Sequence, residues 1–482
     1  MKLDRRKFLK GGSLGLSSSV LGLSWLDQVA LQEVAAVDMS TTRQYDAAIL
    51  VYYEGGPSQI DSFDPKPGAI GNRYPGVLVP GLEDIYGQPV QVSNLISRFG
   101  ALDGSAGRHA EGHGTIRFGF IRSMHHGIPV HQFAQKFTTN FWQSPVGFDY
   151  PPVAPVMSHY FSEHAAKTGL PGSVFIRGGT GRDANTLRGG RVPLALEVDG
   201  SVQGMDLMPE MLSAPEGAHF EQRVRLAQVF GKKHQEKRDQ AEIASWVKSV
   251  EQAADLTLGG ISEQAFRLDK NHLLSKGNSN IYEGSKQRFT LAAQLVKHGV
   301  PFVQVGIEGN DDGHFNNTKA VEHIFGQLTD DLVREMVLSL EDWCVKKQKK
   351  VLVLMMGEFG RTPHEVPKLN GNDTRGHWAS GFTWSLISIN HSGFQSTVIG
   401  DTGPDGAHTL SDGPLLHPVR PSAVGGLLYH VMGFPADMAG NYIQMMDGRS
   451  VSPVDLSFVK NESDGSFIEG NTPWLMQQFG LA

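Results

Sequence analysis

Three short, almost uninterrupted apolar runs constrain this chain more than any other feature: Ala47-Ala48-Ile49-Leu50-Val51-Tyr52-Tyr53, Phe302-Val303-Gln304-Val305-Gly306-Ile307 and Val351-Leu352-Val353-Leu354-Met355-Met356. A strand with one face in water alternates apolar and polar residues. A strand that is apolar throughout needs cover on both faces, as in a parallel sheet wrapped by helices. Helical spacing precedes the last two runs. Phe289, Ala292, Ala293 and Val296 form one stripe that stops at His298-Gly299. Leu328, Leu332, Met336, Leu340 and Trp343 form another, ending in a basic cluster at 346–350 that complements the negative end of a helix dipole. The helix-strand-helix-strand order over 285–356 predicts an α/β fold. Residues 116–121 are a further candidate strand, feeding a helix over 130–138. Residues 218–275 read as a charged helical excursion beside the sheet, and the glycine-rich stretch 103–115 as a surface insertion. The length permits one large domain or two smaller ones. No repeat and no Pro/Ser-rich linker divides it, so a single domain over 37–482 is expected.

The first residues carry an address. Arg5-Arg6 within a basic run, followed by a weakly apolar Gly/Ser-diluted stretch over 11–26, resembles a twin-arginine export signal. The stretch is too short and too polar for a stable span, which needs about 20 strongly apolar residues. Small residues at Val34 and Ala36 predict cleavage after Ala36, with Ala30 as the alternative. The protein is then periplasmic or secreted, with the twin-arginine translocase as its partner during export and no stable membrane insertion afterwards. Removing residues 1–36, with five basic and three acidic groups, takes the net charge from -7 to -9, which argues against a nucleic-acid partner. Cys344 is the only cysteine, so no intramolecular disulfide supports the fold, and its neighbours Leu340 and Trp343 place it on or beside an apolar helix face.

Ligands of open α/β sheets bind beyond the carboxyl ends of the strands, so the residues that follow these runs are the site candidates. After the first come Gly55-Gly56-Pro57-Ser58, Asp61 and Asp64. Glycines with exposed N–H groups suit an anion and the aspartates suit a hard cation, although the same residues also suit a tight capped turn. After the second comes Asp311-Asp312-Gly313-His314, which suits a divalent metal or an acidic turn. After the third come Glu358 and Arg361, a ligand or base beside an oxyanion-binding cation, or a structural ion pair. Arg375-Gly376-His377 and Arg122-Ser123-Met124-His125-His126, continuing to His131, add further cations and imidazoles. His109, Glu111 and His113 lack the rigid helix that a zinc motif of that spacing uses.

Taken together, Gly55-Gly56-Pro57-Ser58 through Asp64-Pro65-Lys66-Pro67, Ile121-Arg122-Ser123-Met124, Gly357-Glu358-Phe359-Gly360-Arg361-Thr362-Pro363 and Arg375 to Trp378 resemble, in order, the signatures of the bacterial family called domain of unknown function 1501. The resemblance implies an alkaline-phosphatase-like α/β sandwich, a mostly parallel sheet with helices on both faces. It implies one or two divalent metals on Asp61, Asp312, His314, Glu358 and His377, with zinc or manganese suiting mixed nitrogen and oxygen ligands better than magnesium or calcium. Ser58 is the foremost nucleophile candidate, ahead of Ser123. Glu358 is a catalytic candidate, and Arg361 and Arg375 are the oxyanion-stabilising ones. The implied activity is metal-dependent hydrolysis of a phosphate or sulfate ester, its substrate a small molecule or glycan. The rivals are a non-catalytic anion- or glycan-binding protein on the same fold and a metal enzyme acting on another leaving group.

Overall fold

The computed structural model describes residues 43–66, 73–84, 87–103, 114–141, 152–177, 264–307, 317–364, 375–406, 419–434 and 471–481, together with short strands at 194–197, 206–207, 443–444, 450–451, 459–460 and 467–468. The expected export signal, the histidine set at 109–113, Asp311, Asp312 and His314, and most of the expected excursion at 218–275 lie outside the described residues.

Eight described strands form the central sheet: β1 (Ala47–Tyr53), β2 (Ile116–Met124), β3 (Val174–Arg177), β4 (Leu194–Glu197), β5 (Phe302–Ile307), β6 (Val351–Gly357), β7 (Phe382–Ile389) and β8 (Thr397–Ile399). Their order is β8-β2-β7-β6-β1-β5-β3-β4. Only the β2–β7 and β6–β7 pairings are antiparallel, so seven strands run one way and β7 alone is reversed. The α/β expectation is met, and the three apolar runs are the adjacent strands β6, β1 and β5.

These runs are apolar throughout because both faces are covered. Ala47, Ile49, Val51 and Tyr53 of β1 enter one core, while Ala48, Leu50 and Tyr52 enter a second across the sheet. Val351, Val353 and Met355 of β6 divide from Leu352, Leu354 and Met356 in the same way. The first core packs against helices Glu283–Lys297 and Arg334–Lys347, the two read from their apolar stripes. The first helix ends at Gly299, where φ is +103°. The second continues from a π-helical stretch over Glu322–Val333 in which Thr329 Oγ1 donates to the carbonyl of Ile324 at 2.9 Å. Cys344 is buried in this core, and burial pushes its thiol up to about 12. It is thus inert packing and not a nucleophile.

Parallel registry brings the strand ends level. Tyr53 pairs with both Gly357 and Ile307, so the chains leave β6, β1 and β5 at one height on the carboxyl edge. Strand β2 continues to Met124, beyond its expected end at 121, and leads through 125–130 to helix α1 (His131–Asn140).

Candidate active site at the carboxyl edge of the sheet

The loops after β1 and β6 interlock, and small residues make this approach feasible. Gly55 and Gly56 have φ of +93° and +72°. A Cβ on Gly56 would lie 2.5 Å from the Phe359 ring, and one on Gly357 would lie 2.6 Å from Pro57 Cδ. Polar side chains then lock the two loops. Arg361 donates from Nε to the carbonyl of Gly56 at 2.8 Å and from Nη2 to that of Gly55. Gln59 accepts the Arg361 amide at 2.8 Å and donates back to its carbonyl at 2.9 Å. A two-residue ribbon pairs Gly360 with Trp378 and Arg361 with His377, which carries His377 to the same edge.

Several sequence candidates belong to this scaffold. Arg375 Nε lies 3.2 Å from Asp61 Oδ2, with side chains only 2% and 1% exposed. Ser58 Oγ donates to the same Asp61 oxygen at 2.6 Å. A carboxylate neutralised by a guanidinium is a poor cation ligand, and the guanidinium is correspondingly a poor oxyanion site. Asp61 and Arg375, expected as metal ligand and oxyanion-binding cation, thus form a buried ion pair with each other. Arg361, expected as an oxyanion-binding cation, is likewise buried and engaged by main-chain carbonyls. Ser58, the foremost nucleophile candidate, is buried and its hydroxyl donates to that paired carboxylate. Ser123 is buried in β2. Asp64 is fully buried among Arg122, Lys66 and Thr402.

Glu358 is different. It follows β6 directly and is fully buried. Its Oε1 accepts the Gly55 amide at 2.8 Å, lies 2.9 Å from His131 Nδ1 and is 3.4 Å from Gln135 Nε2. Its Oε2 has no hydrogen-bond partner among the described residues. A buried carboxylate oxygen without a donor is costly unless something positive meets it.

One imidazole, His131, bonds to Glu358, and a second, His377, packs on that ring. The His131 and His377 rings lie 4.3 Å apart, centroid to centroid, and both contact Phe359. His377 Nδ1 donates to the carbonyl of Pro129 at 2.6 Å, and His131 Nδ1–H is directed to Glu358. In the neutral rings these bonds fix the tautomer with the lone pair on Nε2. Behind the carboxylate, burial and then the Glu358 charge hold the Tyr52 phenol well above its ordinary range, and its hydroxyl meets Thr138 Oγ1 at 3.1 Å and also engages the Glu358 side chain.

His131 was present in the sequence only as the end of a histidine-rich segment. The signal that identifies it is a polar stripe, His131, Gln135 and Thr138, at i, i+4 and i+7 on a helix whose Ala134 and Phe137 are buried. His126 is buried and accepts the Ile128 amide on Nδ1 at 3.0 Å, while its Nε2–H donates to the main-chain carbonyl of Glu358. Burial lowers its pKa to about 4, so the ring is neutral near pH 7.

Fold and site together define an α/β protein with a carboxylate–imidazole cluster at the carboxyl edge of a mostly parallel sheet. The chain belongs to the family described as protein of unknown function (DUF1501), whose model matches residues 45–387. No curated protein matches its sequence. Among solved structures it is similar to the alkaline phosphatase from the Antarctic bacterium TAB5, at 11% identity over 76% of this chain and 97% of that one, with a TM-score of 0.29. A magnesium-bound mutant of the same phosphatase matches at 10% identity over 76% and 96%, also with a TM-score of 0.29.

Proposed function

We propose that the protein is an exported, divalent-metal-dependent hydrolase of phosphate or sulfate esters, with Glu358 at the centre of its site. The observation that carries this reading is the buried Glu358 carboxylate, which has one oxygen held by Gly55 and His131 and the other without a donor among the described residues. A buried anionic oxygen and a nearby imidazole nitrogen are donors of the kind that suit zinc or manganese. Among the described residues no three His, Cys, Asp or Glu side chains cluster closely enough to hold a metal by themselves. Asp312 and His314, in the sequence that follows β5, are the proposed remainder of the ligand set, with Glu358 and His377.

A bound divalent cation would polarise the ester oxygen and lower the pKa of an attacking water. The chain's own residues supply the rest. Gly55 and His131 orient the Glu358 carboxylate, and Pro129 fixes the His377 ring. The engagement of Ser58 with Asp61 favours attack by water over a covalent serine intermediate. Purified protein loaded with zinc or manganese should hydrolyse a member of an aryl phosphate and sulfate panel, lose that activity to a chelator and regain it with metal. Metal binding without turnover across the panel would reject the hydrolase.

A second reading draws on the same scaffold. Ser58, Arg361 and Arg375 are all occupied in loop closure, which favours a non-catalytic protein that binds an anion or anionic glycan through a metal.

A further inference from the structure

We infer that His126 is a positioning residue that fixes both imidazoles of the site relative to Glu358; this rests on the proposed metal-dependent reading. The connection 125–130 joins β2 to α1 and has no regular structure of its own. Its main chain is pinned where His125 donates to the carbonyl of Val419 at 3.0 Å and where His126 and Gly127 donate to that of Ala379 at 3.1 and 3.2 Å. Beyond Gly127 the His126 ring takes over. Wedged edge-on between Phe137 and Phe382, it receives the Ile128 amide on one nitrogen and donates to the Glu358 carbonyl with the other.

The two bonds close a loop of constraints. Glu358 is tied through its carbonyl to His126, and His126 through Nδ1 to Ile128. The next residue, Pro129, presents the carbonyl that orients His377. Two residues later His131 reaches the Glu358 carboxylate. One neutral ring thus sets the segment 128–131 on which the orientation of both histidines depends. Only a group that accepts on one side and donates on the other fills this position. Asparagine matches the Nδ1 side and glutamine the Nε2 side, so the two substitutions separate the two bonds. Outer partners of this kind commonly change metal affinity by about 10–100-fold when removed.

The test uses full-length mature protein with selectively 15N-labelled histidine, read by ring 15N shifts without metal and by zinc titration calorimetry. In His126→Asn, which loses the tether to Glu358, His131 and His377 should change from single Nδ1–H tautomers to mixtures. Zinc affinity should fall about 10–100-fold while the thermal midpoint stays close to wild type. His126→Gln, which keeps the Glu358 carbonyl but loses the Ile128 amide, should release both tautomers and weaken zinc binding as well, because the ring sets 128–131 only through both bonds. Unchanged tautomers in either variant would overturn the inference. Wild-type protein that binds no zinc, with tautomers still altered in His126→Asn, would reject the metal reading and leave the positioning role standing.

Discussion

His131 Nδ1 and Glu358 Oε1 lie 2.9 Å apart, and they come from elements 227 residues distant in sequence. The contact joins the first turn of α1 to the residue after β6, so it reports whether the two halves of the site are assembled. His131→Ala removes it and leaves Glu358 with the Gly55 amide and Gln135. The expected result is a roughly 10–100-fold loss of zinc affinity with little change in thermal midpoint, because the His131 side chain is 26% exposed. Calorimetric titration of the two proteins measures this directly.

The Asp61–Arg375 pair makes a stability prediction. Removing one partner of a buried pair leaves an uncompensated charge and costs about 3–5 kcal/mol, whereas replacing both with apolar residues of similar size is far milder. Asp61→Ala and Arg375→Ala should each lower the denaturant midpoint strongly, and Asp61→Leu combined with Arg375→Met should recover much of the loss. Additive losses in the double variant would show that the pair is not the source of the effect.

Localisation gives a prediction of its own. Replacing Arg5-Arg6 with Lys-Lys keeps the charge and loses the pair proposed as the export signal, so precursor should accumulate in the cytoplasm. Wild-type exported protein should begin near Val37 by mass spectrometry. Undiminished export of the Lys-Lys protein would reject the twin-arginine route.

The sheet was legible where both faces are buried, because continuous apolar runs such as 47–53 have few other interpretations. Strand β7 was not read. Its run Phe-Thr-Trp-Ser-Leu-Ile-Ser-Ile places Ser385 and Ser388 inside the protein, one of them bonded to Tyr45, and such residues dilute the apolar signal. The π-helical stretch was read as ordinary helix, although Leu328, Leu332, Met336 and Leu340 recur at a strict spacing of four, wider than the 3.6-residue period. At the site, the family-like motifs were recognisable, but sequence could not separate residues that hold the loops together from those that face a ligand. Asp61 and Glu358 are both acidic residues after buried strands. Only the structure gives one an arginine and leaves the other with an unmatched oxygen.

The central claim is that Glu358 holds a divalent metal, and its most direct test is metal content per chain in wild-type protein and in Glu358→Gln after identical zinc loading and dialysis. The amide is nearly isosteric and can still accept from Gly55, so the substitution removes charge with little disturbance of packing. The account predicts stoichiometric zinc in the wild type and little or none in the Gln variant. Zinc retained equally by both, or by neither, would contradict it.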